Sequence, residues 1–191
     1  MASRFLQACR NQPVDRMPVW FMRQAGRYQA QYRQWRKEYT FQDLLKRPEV
    51  CAKITLFPVE DLQVDAAILF SDIMVPLEPM GISYTLKEHI GPVVADPIRT
   101  RRQVDALRPL SPSKDLPEEL ETVARVVHQL GETPLIGFAG APFTLASYIV
   151  EGGPSRTYYE TKRMMWTQPQ IWQALMQKLA ESAVVRLQAQ V

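Results

Sequence analysis

Asp65-Ala-Ala-Ile-Leu-Phe70, closed by Ser71-Asp72, is a short apolar run that ends in two polar residues. It is too short for a core helix and carries no charge between Asp65 and Asp72, so it reads as a buried strand. A matching run, Pro134-Leu-Ile-Gly-Phe-Ala139, reads the same way. Upstream, Pro18-Val-Trp-Phe-Met22 suggests a third buried strand, ending at Arg23-Gln-Ala-Gly-Arg27, where Gly26 permits a tight turn or close backbone approach. Between and beyond these runs the pattern is helical. Residues 3–11, 28–38 and 41–63 read as helix, with a break at Pro48 and a disturbance at Pro58. Residues 73–98 are rich in proline and glycine and read as a long loop with a hairpin around Ile82–Leu86. Residues 116–130 form an amphipathic helix with Leu116, Leu120, Val123, Val127 and Leu130 on one face and Gly131 as its stop. A further helix opens at Gly140-Ala-Pro142. The last, over 169–191, carries a stripe of Ile171, Leu175, Leu179, Val184, Leu187 and Val191, flanked by Trp172 and Met176.

Short apolar strands alternating with helices argue for parallel β/α architecture. A (β/α)8 TIM barrel takes about 250 residues, and this chain has 191. With three expected strands and a final helix lacking a cap signal, it reads as roughly the first half of such a barrel, one domain over 1–191 truncated at its C-terminus. The missing strands would leave an open edge and an unfilled interior, so instability or association is expected, and turnover is expected to need the rest. A doubly wound sheet is the structural alternative, but no GxGxxG turn follows any strand.

The composition, with 46% hydrophobic and 23% charged residues, is that of an ordinary globular protein. No apolar run reaches 18 residues and the N-terminus lacks a secretory core, which suggests a cytoplasmic protein without a membrane span. Cys9 and Cys51 read as reduced thiols. With His89 and His128 as the two histidines, a His/Cys zinc site is not expected. His128, within the amphipathic helix, is most simply structural. The net charge of +3 does not suit a nucleic-acid binder. Between Arg16 and Lys37, however, lie six basic residues (Arg16, Arg23, Arg27, Arg33, Arg36, Lys37) and no acid. That run is either a solvated helix face or a site for an anion.

Barrel enzymes carry reactive residues just past the C-terminal ends of their strands. The three expected strands release Arg23 and Arg27, then Ser71 and Asp72, then the glycine-spaced Gly137-Phe-Ala-Gly140, with Ser147 and Tyr148 on the next helix. Singly, each has an ordinary explanation: Asp after a strand is usually a turn or cap residue, and Tyr on an apolar helix is usually core. Together, two arginine forks suit a substrate with several carboxylates. An aspartate facing the ligand could accept N–H bonds and stabilise developing positive charge. No phosphate loop, nucleophile elbow or metal motif competes.

These residues carry a resemblance. Pro18-Val-Trp-Phe-Met-Arg-Gln-Ala-Gly-Arg-Tyr28, Ala66-Ala-Ile-Leu-Phe-Ser-Asp-Ile73, and Pro134-Leu-Ile-Gly-Phe-Ala-Gly-Ala-Pro-Phe-Thr144 through Tyr148-Ile-Val-Glu-Gly-Gly153 resemble, in order, three blocks of the uroporphyrinogen decarboxylase family. Phe143 stands where some members have tryptophan. The resemblance implies a cofactor-free carboxy-lyase that removes the four acetate carboxyls of uroporphyrinogen in haem biosynthesis, commonly as a homodimer. It implies that Arg23 and Arg27 bind substrate carboxylates, one of them as a possible proton donor, with Gln24, Ala25 and Gly26 lining the same contact. It implies that Asp72 accepts the pyrrole N–H groups and that Tyr148 touches the substrate edge. Members are longer, with further substrate contacts in a C-terminal half. The alternatives are a tetrapyrrole- or anion-binding fragment without turnover, and a corrinoid or methionine-synthase-like methyltransferase.

Overall fold

A computed structural model describes residues 3–87 and 90–191. The chain is mixed α/β and divides into two compact units. The first comprises residues 1–71, 117–138 and 190; the second comprises 72–116, 139–189 and 191.

The first unit holds helices α1 (Arg4–Cys9), α2 (Ala30–Glu38), α3 (Phe41–Leu45) and α4 (Pro48–Leu62) and strand β1 (Ala67–Ile68). Helix α3 starts where Thr40 and Asp43 cap each other, each side chain bonding the other's backbone N–H. Pro48 opens α4, where its missing N–H costs nothing. Helix α4 is not broken at Pro58: it runs through that residue and is capped by Gln63, in the left-handed region.

The same unit contains, later in the chain, helix α7 (Pro117–Leu130) and strand β4 (Leu135–Ile136). β1 and β4 pair in parallel, Ala67 opposite Leu135 and Ile68 opposite Ile136. The pairing is narrower than the apolar runs suggest, extended only by bonds from the N–H of Ala67 to Pro134 O and of Leu69 to Ile136 O. Residues 18–22 are not a strand. Val19 makes one backbone contact, accepting from the N–H of Asp65, and Trp20, Phe21 and Met22 are exposed, Met22 by 81%. Apolar character alone did not settle this segment, because its second rung is filled by a side chain, as described below.

Helix α7 packs on α4 through Ala52, Leu56 and Val126. Its buried face differs from the expected one: Glu119, Thr122, Val123 and Val126 are buried and Val127 is 56% exposed. The face is turned by about one residue because a polar group, Glu119, points inward.

The second unit contains a 3-10 turn at Val75–Leu77, a hairpin of β2 (Tyr84–Lys87) and β3 (Gly91–Val94), and helices α5 (Arg101–Ala106), α6 (Pro112–Asp115), α8 (Pro142–Glu151), α9 (Tyr159–Thr167) and α10 (Pro169–Ala189). The hairpin falls close to its expected place, with Tyr84 opposite Val94. Helices α5, α6 and α9 lie where the sequence carries no helix expectation. Helix α8 ends at Gly152, whose φ of 89° suits glycine, and a Cβ there would lie 2.9 Å from Pro97. Arg99 donates to the terminal carbonyls of Val150 and Glu151. The core gathers Met74, Leu77, Val104, Ile149, Leu175 and Leu179. On α10 the buried line continues from Leu179 to Ser182 and Arg186, whereas Val184, Leu187 and Val191, assigned to the stripe, are exposed.

Candidate active site

In the first unit, the Arg23–Arg27 loop is built by two glutamines. Gln24 is buried; its Nε2 donates to Ala66 O at 3.0 Å and its Oε1 accepts the N–H of Phe21 at 3.2 Å. The side chain thus supplies the contact with β1 that residues 18–22 do not make. Gln29, also buried, accepts the N–H of Gly26 through Oε1, and its Nε2 has no partner among the described residues. Ala25 packs against the cluster of Tyr32, Leu44 and Ile54. Tyr28 donates to Gln24 O at 2.6 Å. Gly26 is not a steric necessity: its φ is not positive and a Cβ there would meet nothing within 4 Å.

Arg23 and Arg27 have no acidic partner among the described residues; Arg23 is exposed and Arg27 is exposed beside it. The basic run therefore separates into two kinds of residue. Arg16 is bound to Asp65, Arg33 donates to the carbonyls of Arg27 and Tyr28, and Arg36 donates to Tyr39 O. Asp65 anchors the start of β1, accepting from Arg4, from Arg16 and from the N–H of Val19. Partial burial pushes its carboxyl up, but the hydrogen bonds from Val19, Arg4 and Arg16 outweigh this and hold it below the usual carboxylate range.

The C-terminal ends of β1 and β4 are pinned by residues that sequence reading did not single out. The hydroxyl of Thr55, fully buried on α4, accepts the N–H of Phe70 at 3.0 Å and donates to Cys51 O. Ser71 donates to Glu119 Oε2 at 2.5 Å. Glu119 Oε1 accepts from Gln190 Nε2 at 2.9 Å, and the same carboxamide holds the N–H and C=O of Phe138. Gly137 makes room, since a Cβ there would lie 2.7 Å from Gln190 Oε1. The signal for Glu119 was its spacing of three, four and seven from Leu116, Val123 and Val126.

In the second unit, Asp72 is half-buried. Its Oδ1 accepts the N–H of Met74 at 2.7 Å, and its carbonyl accepts from Arg186 Nη2 at 3.0 Å. Burial pushes its carboxyl above the usual range, although the Met74 N–H and the Arg186 charge pull the other way. Arg186 is 1% exposed, a guanidinium sunk in the apolar line of α10. Tyr148 is half-buried on α8 with its ring against the core and its hydroxyl unbonded among the described residues. Ser147 is buried and spends its hydroxyl on Thr144 O. Phe143 meets Trp172 edge-on at 5.8 Å. Gly140 is buried, where a Cβ would lie 2.8 Å from Leu145 Cδ2 and 2.9 Å from Ile73 Cβ.

The 23–27 loop thus lies in the first unit, and Asp72 and Tyr148 in the second, where no hydrogen bond joins that pair among the described residues. His128 is exposed on α7, not part of the packing; His89 lies outside the described residues. Both cysteines are free thiols. No helix among the described residues is long and apolar enough to cross a membrane.

The chain is thus an α/β protein with two exposed arginines on the 23–27 loop of its first unit and a half-buried carboxylate, Asp72, in its second. A model of one family, uroporphyrinogen decarboxylase (URO-D), matches residues 1–191, and the chain belongs to that family. It is 52% identical to uroporphyrinogen decarboxylase of Thermus thermophilus over 97% of this chain and 54% of that one. It is 51% identical to that of Sorangium cellulosum over 100% and 55%. The chain spans about half the length of the curated relatives it matches. Among solved structures, a methyltransferase from Methanosarcina mazei superposes with a TM-score of 0.72 at 17% identity, over 98% of this chain and 54% of that one. At that identity the likeness is one of fold.

Proposed function

We propose that residues 1–191 supply the first half of a (β/α)8 barrel, and that the whole protein removes the four acetate carboxyls of uroporphyrinogen III to give coproporphyrinogen III without a cofactor. The observation that carries this is the environment of Asp72. A half-buried carboxylate whose pKa is raised by burial has lost hydration, so it gains from ligand N–H donors and from a cation formed beside it.

Cleaving the bond between an acetate methylene and its carboxylate leaves an electron pair. Protonation of a pyrrole ring carbon makes an iminium-like ring that accepts that pair as carbon dioxide departs. The exocyclic carbon is then protonated to a methyl group and the ring proton is lost. In this reading Asp72 stabilises the cationic ring. Arg23 and Arg27, exposed and without acidic partners among the described residues, bind substrate carboxylates, one of them supplying a proton. Gln24, Ala25 and Gly26 shape the loop, and Tyr148 meets the edge of the macrocycle. The free thiols Cys9 and Cys51 fit a reducing cytoplasm, and the homodimer that the resemblance implies belongs to the same proposal.

The test is decarboxylation of freshly reduced uroporphyrinogen by this chain, beside the same chain joined to the C-terminal half of the Thermus thermophilus relative. Turnover by the joined protein is the expected result. If both fold and neither turns over, the reading fails.

A further inference from the structure

We propose that Glu119 is a positioning residue for this chemistry, fixing through Ser71 and Gln190 the strand ends from which the reactive groups are carried. The inference rests on the decarboxylase reading and concerns a side chain with no place in it so far.

Glu119 is 8% exposed, yet both of its carboxylate oxygens are engaged, Oε2 by the Ser71 hydroxyl and Oε1 by Gln190 Nε2. A buried carboxylate is costly unless it is fully hydrogen-bonded. Position 119 falls on the packed face of α7, where a leucine would serve packing alone. What the carboxylate adds is direction. It ties Ser71, in the segment that follows β1, to the residue that braces the segment after β4, because Gln190 holds Phe138 by both its N–H and its C=O. One residue earlier, at Phe70, Thr55 binds the backbone N–H. The two bonds fix successive residues, Phe70 and Ser71, and the next residue is Asp72. Changes in ψ of Phe70 and φ of Ser71 would redirect the chain as it enters Asp72, and the bonds from Thr55 and Glu119 restrict them. Gly137 fits the same design, as a side chain there would displace Gln190.

The experiment uses the joined, full-length protein carrying Glu119→Leu, Ser71→Ala, or both, with Asp72→Asn for comparison. A misplacement of about 1 Å can cost about 100-fold in rate, so kcat for Glu119→Leu should fall at least about 10-fold while KM moves less than about 3-fold. Ser71→Ala should lose kcat in the same way, and the double variant should be little worse than the worse single one, the mark of a shared path. Normal kcat in a folded Glu119→Leu protein overturns the proposal, as does a double variant whose losses multiply. If Glu119→Leu does not fold, Ser71→Ala decides on the same criterion. These outcomes are distinct from failure of the role given to Asp72, which would show as near-normal turnover in Asp72→Asn. An unsubstituted joined protein that folds but does not turn over removes both.

Discussion

Gln190 grips Phe138 at both polar ends of its backbone, with Oε1 2.8 Å from the N–H nitrogen and Nε2 3.0 Å from the carbonyl oxygen. A single side chain thus offers β4 the donor and acceptor that a neighbouring strand would offer. Gly137→Ala should displace this carboxamide and cost about 1–2 kcal/mol. Gln190→Ala should cost a similar amount, and the pair should be less than additive in urea unfolding. Full additivity would show that the two residues do not share the contact.

Asp72→Asn should leave the thermal midpoint of the joined protein close to its starting value and lower turnover by about 100–1000-fold. Turnover of reduced uroporphyrinogen and a thermal melt on the same preparation check this.

Asp65 provides a pH dependence. Its carboxyl is held below the usual range, so its stabilisation is complete above the unfolded-state value near about pH 4 and is lost as pH falls through the lower folded value. Asp65→Asn should destabilise by about 2 kcal/mol at pH 6. The gap between the two proteins, followed by urea titration, should shrink below about pH 4. A gap that stays constant down to about pH 2 would remove the ionic component.

Burial pushes the Cys51 thiol up to about 12, helped by the nearby charges of Glu49 and Glu119, and Sγ donates to Leu44 O. Cys9 is exposed. A maleimide at about pH 7.5 should therefore label Cys9 quickly and Cys51 only after unfolding, as read by mass spectrometry of the peptides.

Helix α7 tests the corrected face. Val126→Ala should cost about 2 kcal/mol, whereas Val127→Lys should change stability by less than about 0.5 kcal/mol. The reverse ranking would restore the face expected from the hydrophobic spacing.

The pair β1–β4, the break at Pro48, the hairpin and most helices were legible because each rests on local signals: apolar runs, caps and turn residues. Three of the misses share one cause, side chains acting at long range in place of backbone. Residues 18–22 look like a strand because nothing in their own sequence reveals that Gln24 makes their contact with Ala66. The stripes of α7 and α10 were misphased because an apolar count leaves out Glu119 and Arg186, both buried by partners that sequence spacing does not reveal. Likewise, the basic run could not be sorted locally: Arg16, Arg33 and Arg36 resemble Arg23 and Arg27 until their acceptors are seen.

The bond from Arg186 to the Asp72 carbonyl spans 114 residues of chain. At a synthesis rate of about 5–20 residues per second, the aspartate turn is made roughly 6–23 s before the guanidinium that braces it exists. During that interval Asp72 has only its local bond to Met74. The Asp72 turn is thus among the last parts of the second unit to be set, and a pause in translation before α10 would prolong its provisional state.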